Sequence, residues 1–214
     1  MTQDYQAIVL VSFGGPEGPD DVLPFLENVL RGRNVPRERM LAVAEHYYQF
    51  GGKSPINDQN RALMGALRGE LATAGHDLPV YWGNRNWHPL LPDTLRDMAD
   101  AGIERALAFV TSAWGSYSAC RQYRDNIADA CAEVGERAPQ IDKLRAFFNH
   151  PGFIEPWIER AAAALAQIPD ERRPDTALLF TAHSIPQAMP GMGGYVEQLT
   201  EACGLVAAGV DRRD

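Results

Sequence analysis

Three sets of side chains in this chain of 214 residues could do chemistry by their type and placing. The first is His183, in Thr181-Ala182-His183-Ser184-Ile185-Pro186, which follows the apolar run Ala177-Leu178-Leu179-Phe180. A neutral imidazole can hold a metal ion or take a proton near neutral pH; a lone histidine can equally be a hydrogen-bonded structural residue. The second set is a pair of hydroxyls. Ser54 lies in Gly51-Gly52-Lys53-Ser54-Pro55, built from turn-favouring residues, where it reads as a turn or helix-capping residue as readily as a ligand contact. Tyr123, in Cys120-Arg121-Gln122-Tyr123, falls on a predicted helix, where tyrosine commonly serves in packing. The third set is Arg31, Arg33, Arg37 and Arg39, a dense cationic stretch that could hold carboxylates or form a solvated approach to a helix.

Other patterns lack the spacing their chemistry needs. Gly14-Gly15-Pro16-Glu17-Gly18 is neither Gly-x-Gly-x-x-Gly nor a loop ending in Gly-Lys-Ser/Thr. Pro16 and Pro19 also remove backbone donors that a phosphate cradle uses. His46, His76, His88 and His150 show no ligand spacing with one another. Cys120, Cys131 and Cys203 are odd in number and far apart, so they read as small helical hydrophobes rather than as a disulfide framework or a metal site.

The elements that must position these groups alternate between strand and helix. Strands are expected at Gln6–Phe13, Leu78–Trp82 and Ala106–Thr111, and a further buried strand at Ala177–Phe180 that sets His183 at its carboxyl end. Open parallel sheets place their ligand crevice at that end. Helices are expected from Pro19-Asp20-Asp21 onward, at Arg37–Phe50, Gln59–Ala74, Leu91–Ala101, Tyr117–Val134, Pro156–Ile168 and Val196–Ala208. This order predicts an α/β fold of two Rossmann-like units with parallel sheets. The boundary falls near Asn149–Phe153, giving units of residues 1–150 and 151–214.

Several motifs together resemble the ferrochelatase family. They are Ile8-Val9-Leu10-Val11-Ser12-Phe13-Gly14-Gly15-Pro16, Arg31-Gly32-Arg33, and the stretch from Tyr47 through Gly51-Gly52-Lys53-Ser54-Pro55-Ile56-Asn57. Gly83-Asn84-Arg85-Asn86-Trp87, Thr111-Ser112-Ala113-Trp114 and the His183 motif follow in family order. Within the family these motifs look most like the actinobacterial coproporphyrin III ferrochelatases. The resemblance implies a chelatase-like fold of two similar halves with a porphyrin cleft. It implies an enzyme inserting Fe2+ into coproporphyrin III to form coproheme, with Fe2+ as substrate metal. It also implies His183 as catalytic residue and metal ligand, and Ser54 and Tyr123 as substrate-binding residues.

Arg31 and Tyr47 match the family and remain possible lining residues. Phe13 stands where some relatives have a tyrosine that approaches the iron, so no axial hydroxyl is expected there. Leu30 and His46 stand where some relatives have arginine, so those propionate contacts are not carried over. Family members run longer, and the second unit is expected to be incomplete in this chain. The glutamate that the family pairs with the histidine is then expected beyond Asp214, and Glu197 and Glu201 read as a solvated helix face. Two alternatives stay open: a protoporphyrin IX ferrochelatase, and a truncated, non-catalytic porphyrin-binding fragment.

The bulk numbers narrow the partners. With 28 Asp and Glu against 20 Lys and Arg, the net charge of −8 argues against nucleic acid. No apolar stretch approaches the roughly 20 residues of a membrane-spanning helix. The N-terminus carries no basic region typical of a signal peptide, so the expected location is the cytoplasm. A monomer is expected, and no iron–sulfur cluster, since no cluster of cysteines occurs.

Overall fold

The computed structural model describes residues 4–115, 121–183 and 192–210. The chain divides into two compact units. The first comprises residues 1–111 and 123–144; the second comprises residues 112–122 and 145–214.

The first unit is built on a four-stranded parallel sheet of order β2-β1-β3-β4. Its strands are β1 (Ala7–Ser12), β2 (Val80–Asn84), β3 (Arg105–Val110) and β4 (Gln140–Lys143). Every residue of β1 is buried, as expected of a central parallel strand covered on both faces. One face of β1 carries Ala7, Val9 and Val11 into a core with Ala106, Ala108 and Val110 of β3. Two helices close this face: α4 (Leu91–Asp100), through Leu91, Leu95 and Met98, and α5 (Gln122–Val134), through Tyr123, Ile127 and Ala130. The helix α3 (Ile56–Thr73) touches β1 and β2. A separate apolar cluster joins α1 (Pro19–Leu30), through Val22, Phe25 and Leu26, to α2 (Arg37–Tyr48), through Met40 and Ala44.

The chain leaves β1 to one side for β2, then returns past β1 to form β3. The connection therefore reverses at β1, and the loops at its carboxyl end splay apart. This is where open parallel sheets hold ligands.

Strand β4 has no counterpart in the sequence reading. Its residues, Gln140-Ile141-Asp142-Lys143, contain no apolar run. The strand exists because it pairs in register with β3, and because Asp142 accepts from Arg105 at 2.7 Å and from the Tyr5 hydroxyl at 3.1 Å. Neither partner is local in sequence.

In the second unit, α6 (Pro151–Leu165) packs on α7 (Met192–Val210) through Ile154, Ile158, Ala202, Val206 and Val210. The helix α6 starts earlier than expected. Pro151, rather than Pro156, occupies its first turn, and the His150 side chain accepts from the Gly152 N–H at 3.1 Å as its cap.

The expected strand at Ala177–Phe180 is a correction. Those residues carry no strand, and Leu178, Leu179 and Phe180 are 40%, 84% and 44% exposed. A parallel strand needs a neighbour to receive its backbone hydrogen bonds. Among its described residues, the second unit offers none. His183 therefore does not close a strand. The expected helix start at Tyr117 lies outside the described residues, as do Cys120 and the Ser184-Ile185-Pro186 part of the histidine motif. Cys131 and Cys203 are free thiols.

Candidate functional site

At the carboxyl end of the sheet, Phe13 follows β1, Arg85 follows β2 and Thr111 follows β3. Tyr123, in the first turn of α5, is 5% exposed, with its ring in the core. The Arg85 guanidinium lies 5.3 Å from the ring centre of Phe13 and 5.3 Å from that of Tyr123. The Thr111 hydroxyl, at the end of β3, donates to the Val11 carbonyl at 3.5 Å. Burial pushes the Tyr123 hydroxyl above its ordinary pKa, and the Arg85 charge offsets part of that rise. Burial likewise lowers the Arg85 pKa, and nearby Arg33 adds to the lowering.

The Arg85 Nε is buried without a hydrogen-bond partner. Among the described residues, no carboxylate lies within ion-pair distance of this guanidinium. A partly buried cation without a counter-ion is electrostatically suited to an anion. Phe13 in turn belongs to an aromatic cluster centred on Phe25. Phe25 meets Phe13, Tyr47 and Trp87 edge to face, at centroid distances of 6.2, 5.9 and 6.4 Å. The guanidinium thus touches this cluster through Phe13, while Phe25 itself is fully buried.

The loops rimming this end are tied together by a polar network. The buried Asn57 side chain donates to the Gly15 carbonyl and to Glu17 Oε1, both at 2.9 Å. Glu17 also accepts from Arg61 at 2.6 Å, with Lys53 at 3.7 Å. Ser54 is half-buried in this network. Its N–H donates to the Pro16 carbonyl at 2.8 Å, and its hydroxyl accepts from the Ile56 N–H at 3.4 Å. Ser54 therefore has a turn role here, within contact of Gly15, where an added Cβ would lie 2.7 Å from the Ser54 hydroxyl.

Burial pushes the Glu17 carboxyl up. Hydrogen bonds from Arg61 and Asn57, with the charges of Arg61 and Lys53, outweigh that effect and hold it below its ordinary 4.5. A carboxyl lowered by folding adds stability that is fully present above its unfolded value and is lost as pH falls through the folded one. The melting temperature of the wild type is expected to exceed that of Glu17→Gln at neutral pH. That gap should close as the pH falls below 4.5; a gap independent of pH would contradict the role given to this network.

The structure places Ser54 and Tyr123 in the first unit and His183 in the second. His183 is exposed, and its carbonyl accepts from the Tyr195 hydroxyl at 3.1 Å. Among the described residues, no group of three or more His, Cys, Asp or Glu could hold a metal ion. Arg31 is exposed and donates to Asn28 Oδ1 at 2.6 Å; Arg33, Arg37 and Arg39 are exposed as well. Glu201 is exposed and accepts from the Asn149 side chain at 2.9 Å, and Glu197 is exposed, both on α7. Arg85, which the sequence reading carried only as part of a family motif and gave no role, is the residue the structure adds to the candidate site. The available signal was an arginine immediately after a short strand in a chain of net acidic charge.

The fold and this site define a parallel α/β protein with a partly buried guanidinium, held between two aromatic rings, at the switch point of its sheet. The family model described as ferrochelatase matches residues 5–214, and the chain belongs to that family. It is 57% identical over 213 residues to the coproporphyrin III ferrochelatase of Frankia alni, covering 96% of this chain and 54% of that protein. It is also 57% identical over 197 residues to the coproporphyrin III ferrochelatase of Streptomyces coelicolor, covering 91% and 52%. With the ferrochelatase of Rhodopirellula baltica the identity is 58% over 203 residues, covering 95% and 58%. The chain thus spans about half the length of these curated relatives.

Proposed function

We propose that this chain serves in insertion of Fe2+ into coproporphyrin III, giving coproheme and releasing two protons. The observation that carries this reading is the unpaired Arg85 guanidinium held between Phe13 and Tyr123. The half-buried Phe13 ring suits contact with a macrocycle, and a partly buried guanidinium without a counter-ion suits a carboxylate at its edge. The names of the Frankia and Streptomyces relatives support coproporphyrin III as the substrate.

In this reading Ser54 and Tyr123 belong to the substrate side. Tyr123 acts there through its contact with Arg85, and Ser54 through the loop it shares with Gly15. His183 is the metal ligand and proton acceptor: an imidazole can take a pyrrole proton or donate a lone pair to iron. Residues 151–214 belong, in this reading, to a second Rossmann-like unit. The remaining parts of the reading are Fe2+ as substrate rather than resident cofactor, no iron–sulfur cluster, a monomer, and a cytoplasmic location. Among the described residues, no helix is long and apolar enough to cross a membrane.

An anaerobic titration with coproporphyrin III, then Fe2+, tests the proposal by the porphyrin absorption bands. The expected result is a band shift on binding followed by conversion to the iron-porphyrin spectrum, with weaker response to protoporphyrin IX. A shift without conversion would reduce the chain to a porphyrin binder, and no shift would refute both.

A further inference from the structure

The helix α7 gathers two segments that the proposed mechanism leaves unsupported. Tyr195 and Gln198 stand three residues apart, on one helical face. The Gln198 Oε1 accepts from the Gly115 N–H at 2.6 Å, and the Tyr195 ring meets Trp114 edge to face with centroids 6.3 Å apart. The Tyr195 hydroxyl also donates to the His183 carbonyl at 3.1 Å. Residues 176–183 have neither helix nor strand, so no ladder of backbone hydrogen bonds fixes the direction of the His183 side chain. A bond to the His183 carbonyl restrains rotation about the bond between its Cα and carbonyl carbon, and so limits the directions open to its side chain.

Trp114 makes that bond well aimed. Its ring is held against Phe148, stacked at 6.4 Å, and against Phe153, edge on at 6.1 Å, so the phenol of Tyr195 lies against an anchored wall. We infer that Tyr195 is a positioning residue for His183, acting through its hydroxyl rather than through its ring. The inference rests on the proposed role of His183. A displacement of about 1 Å in a reacting group can cost on the order of a hundredfold in rate, so loss of one orienting bond should be visible.

The test compares the full chain with Tyr195→Phe and His183→Ala. The chain has five histidines, and the His183 ring signal in an NMR spectrum of labelled histidine is assigned by its loss in His183→Ala. In Tyr195→Phe the His183 signal is expected to move while the other histidine signals stay in place. The rate of Fe2+ insertion should fall by about tenfold with KM for coproporphyrin III unchanged. An unmoved His183 signal, with an unchanged rate of insertion, would overturn the inference. In the wild type, a nuclear Overhauser contact between the Tyr195 ring and the His183 backbone is expected, and its absence would equally overturn it. Unimpaired insertion by His183→Ala would instead refute the role of His183, and the inference with it. Neither NMR measurement depends on turnover, and the wild-type Overhauser contact does not depend on the folding of Tyr195→Phe.

Discussion

Replacement of His183 by alanine is expected to slow Fe2+ insertion into coproporphyrin III by at least about a hundredfold. Insertion must remove two pyrrole protons and pass the metal from solvent ligands to ring nitrogens. A positioned general base alone is worth about 10²–10⁴ in rate, and loss of a metal ligand adds to that. Binding of the porphyrin should survive, because the residues proposed to hold it, Phe13, Arg85 and Tyr123, belong to the first unit, whereas His183 belongs to the second. The absorption shift on porphyrin addition should therefore persist while conversion to the iron-porphyrin spectrum nearly stops. Added imidazole should restore part of the rate by supplying the missing base. The exposed His76 offers a control, since His76→Ala should leave the rate unchanged. A His183→Ala protein that inserts iron at the wild-type rate would remove His183 from the mechanism.

Gly52→Ala should give the largest loss of stability. Gly52 has φ +73°, a left-handed conformation that costs a residue with a Cβ about 1–2 kcal/mol. The Cβ would also lie 2.5 Å from the Pro19 Cα and 2.6 Å from the Pro19 nitrogen. Those are backbone atoms of the first turn of α1, and they cannot swing aside as a flexible side chain could. The total expected cost is about 3 kcal/mol, or roughly 10 °C in Tm. Porphyrin binding should weaken too. Residues Glu17 and Lys53 form an antiparallel bridge beside this contact, and the Ser54 N–H bonds to Pro16. Gly51 separates the two effects. It has φ +74°, with nothing within 4 Å of an added Cβ. Gly51→Ala should therefore cost only the conformational penalty, and the two variants should differ clearly in a thermal melt. Equal melts would show that close approach to Pro19 plays no part.

Much of the first unit is legible without coordinates because its signals are local. The run from Ala7 to Ser12 is apolar throughout, as a strand buried on both faces must be. The helix α4 reads from Leu91, Leu95 and Met98, which recur at helical spacing and all point into one core. The second unit was less legible. Ala177–Phe180 has the composition of a strand, yet composition supplies only half of a strand: the other half is a neighbour with free backbone groups. Strand β4 is the converse case, with polar residues brought into the sheet by β3 and by Arg105.

The site divides in the same way. Sequence by itself determined the family, through motifs whose order and residue types survive without any coordinates, and it singled out Ser54, Tyr123 and His183. It also determined the parallel α/β class, since alternating periodicities are a property of neighbouring residues. Only the tertiary structure decided that Arg85 lies between Phe13 and Tyr123, residues 72 and 38 positions away along the chain. Only it joined the hydroxyl of Tyr195 to the carbonyl of His183. The physical reason is common to both. A guanidinium's burial and a carbonyl's partner are set by groups distant in sequence, and no local pattern of residue types encodes a contact that exists only once the chain has closed on itself.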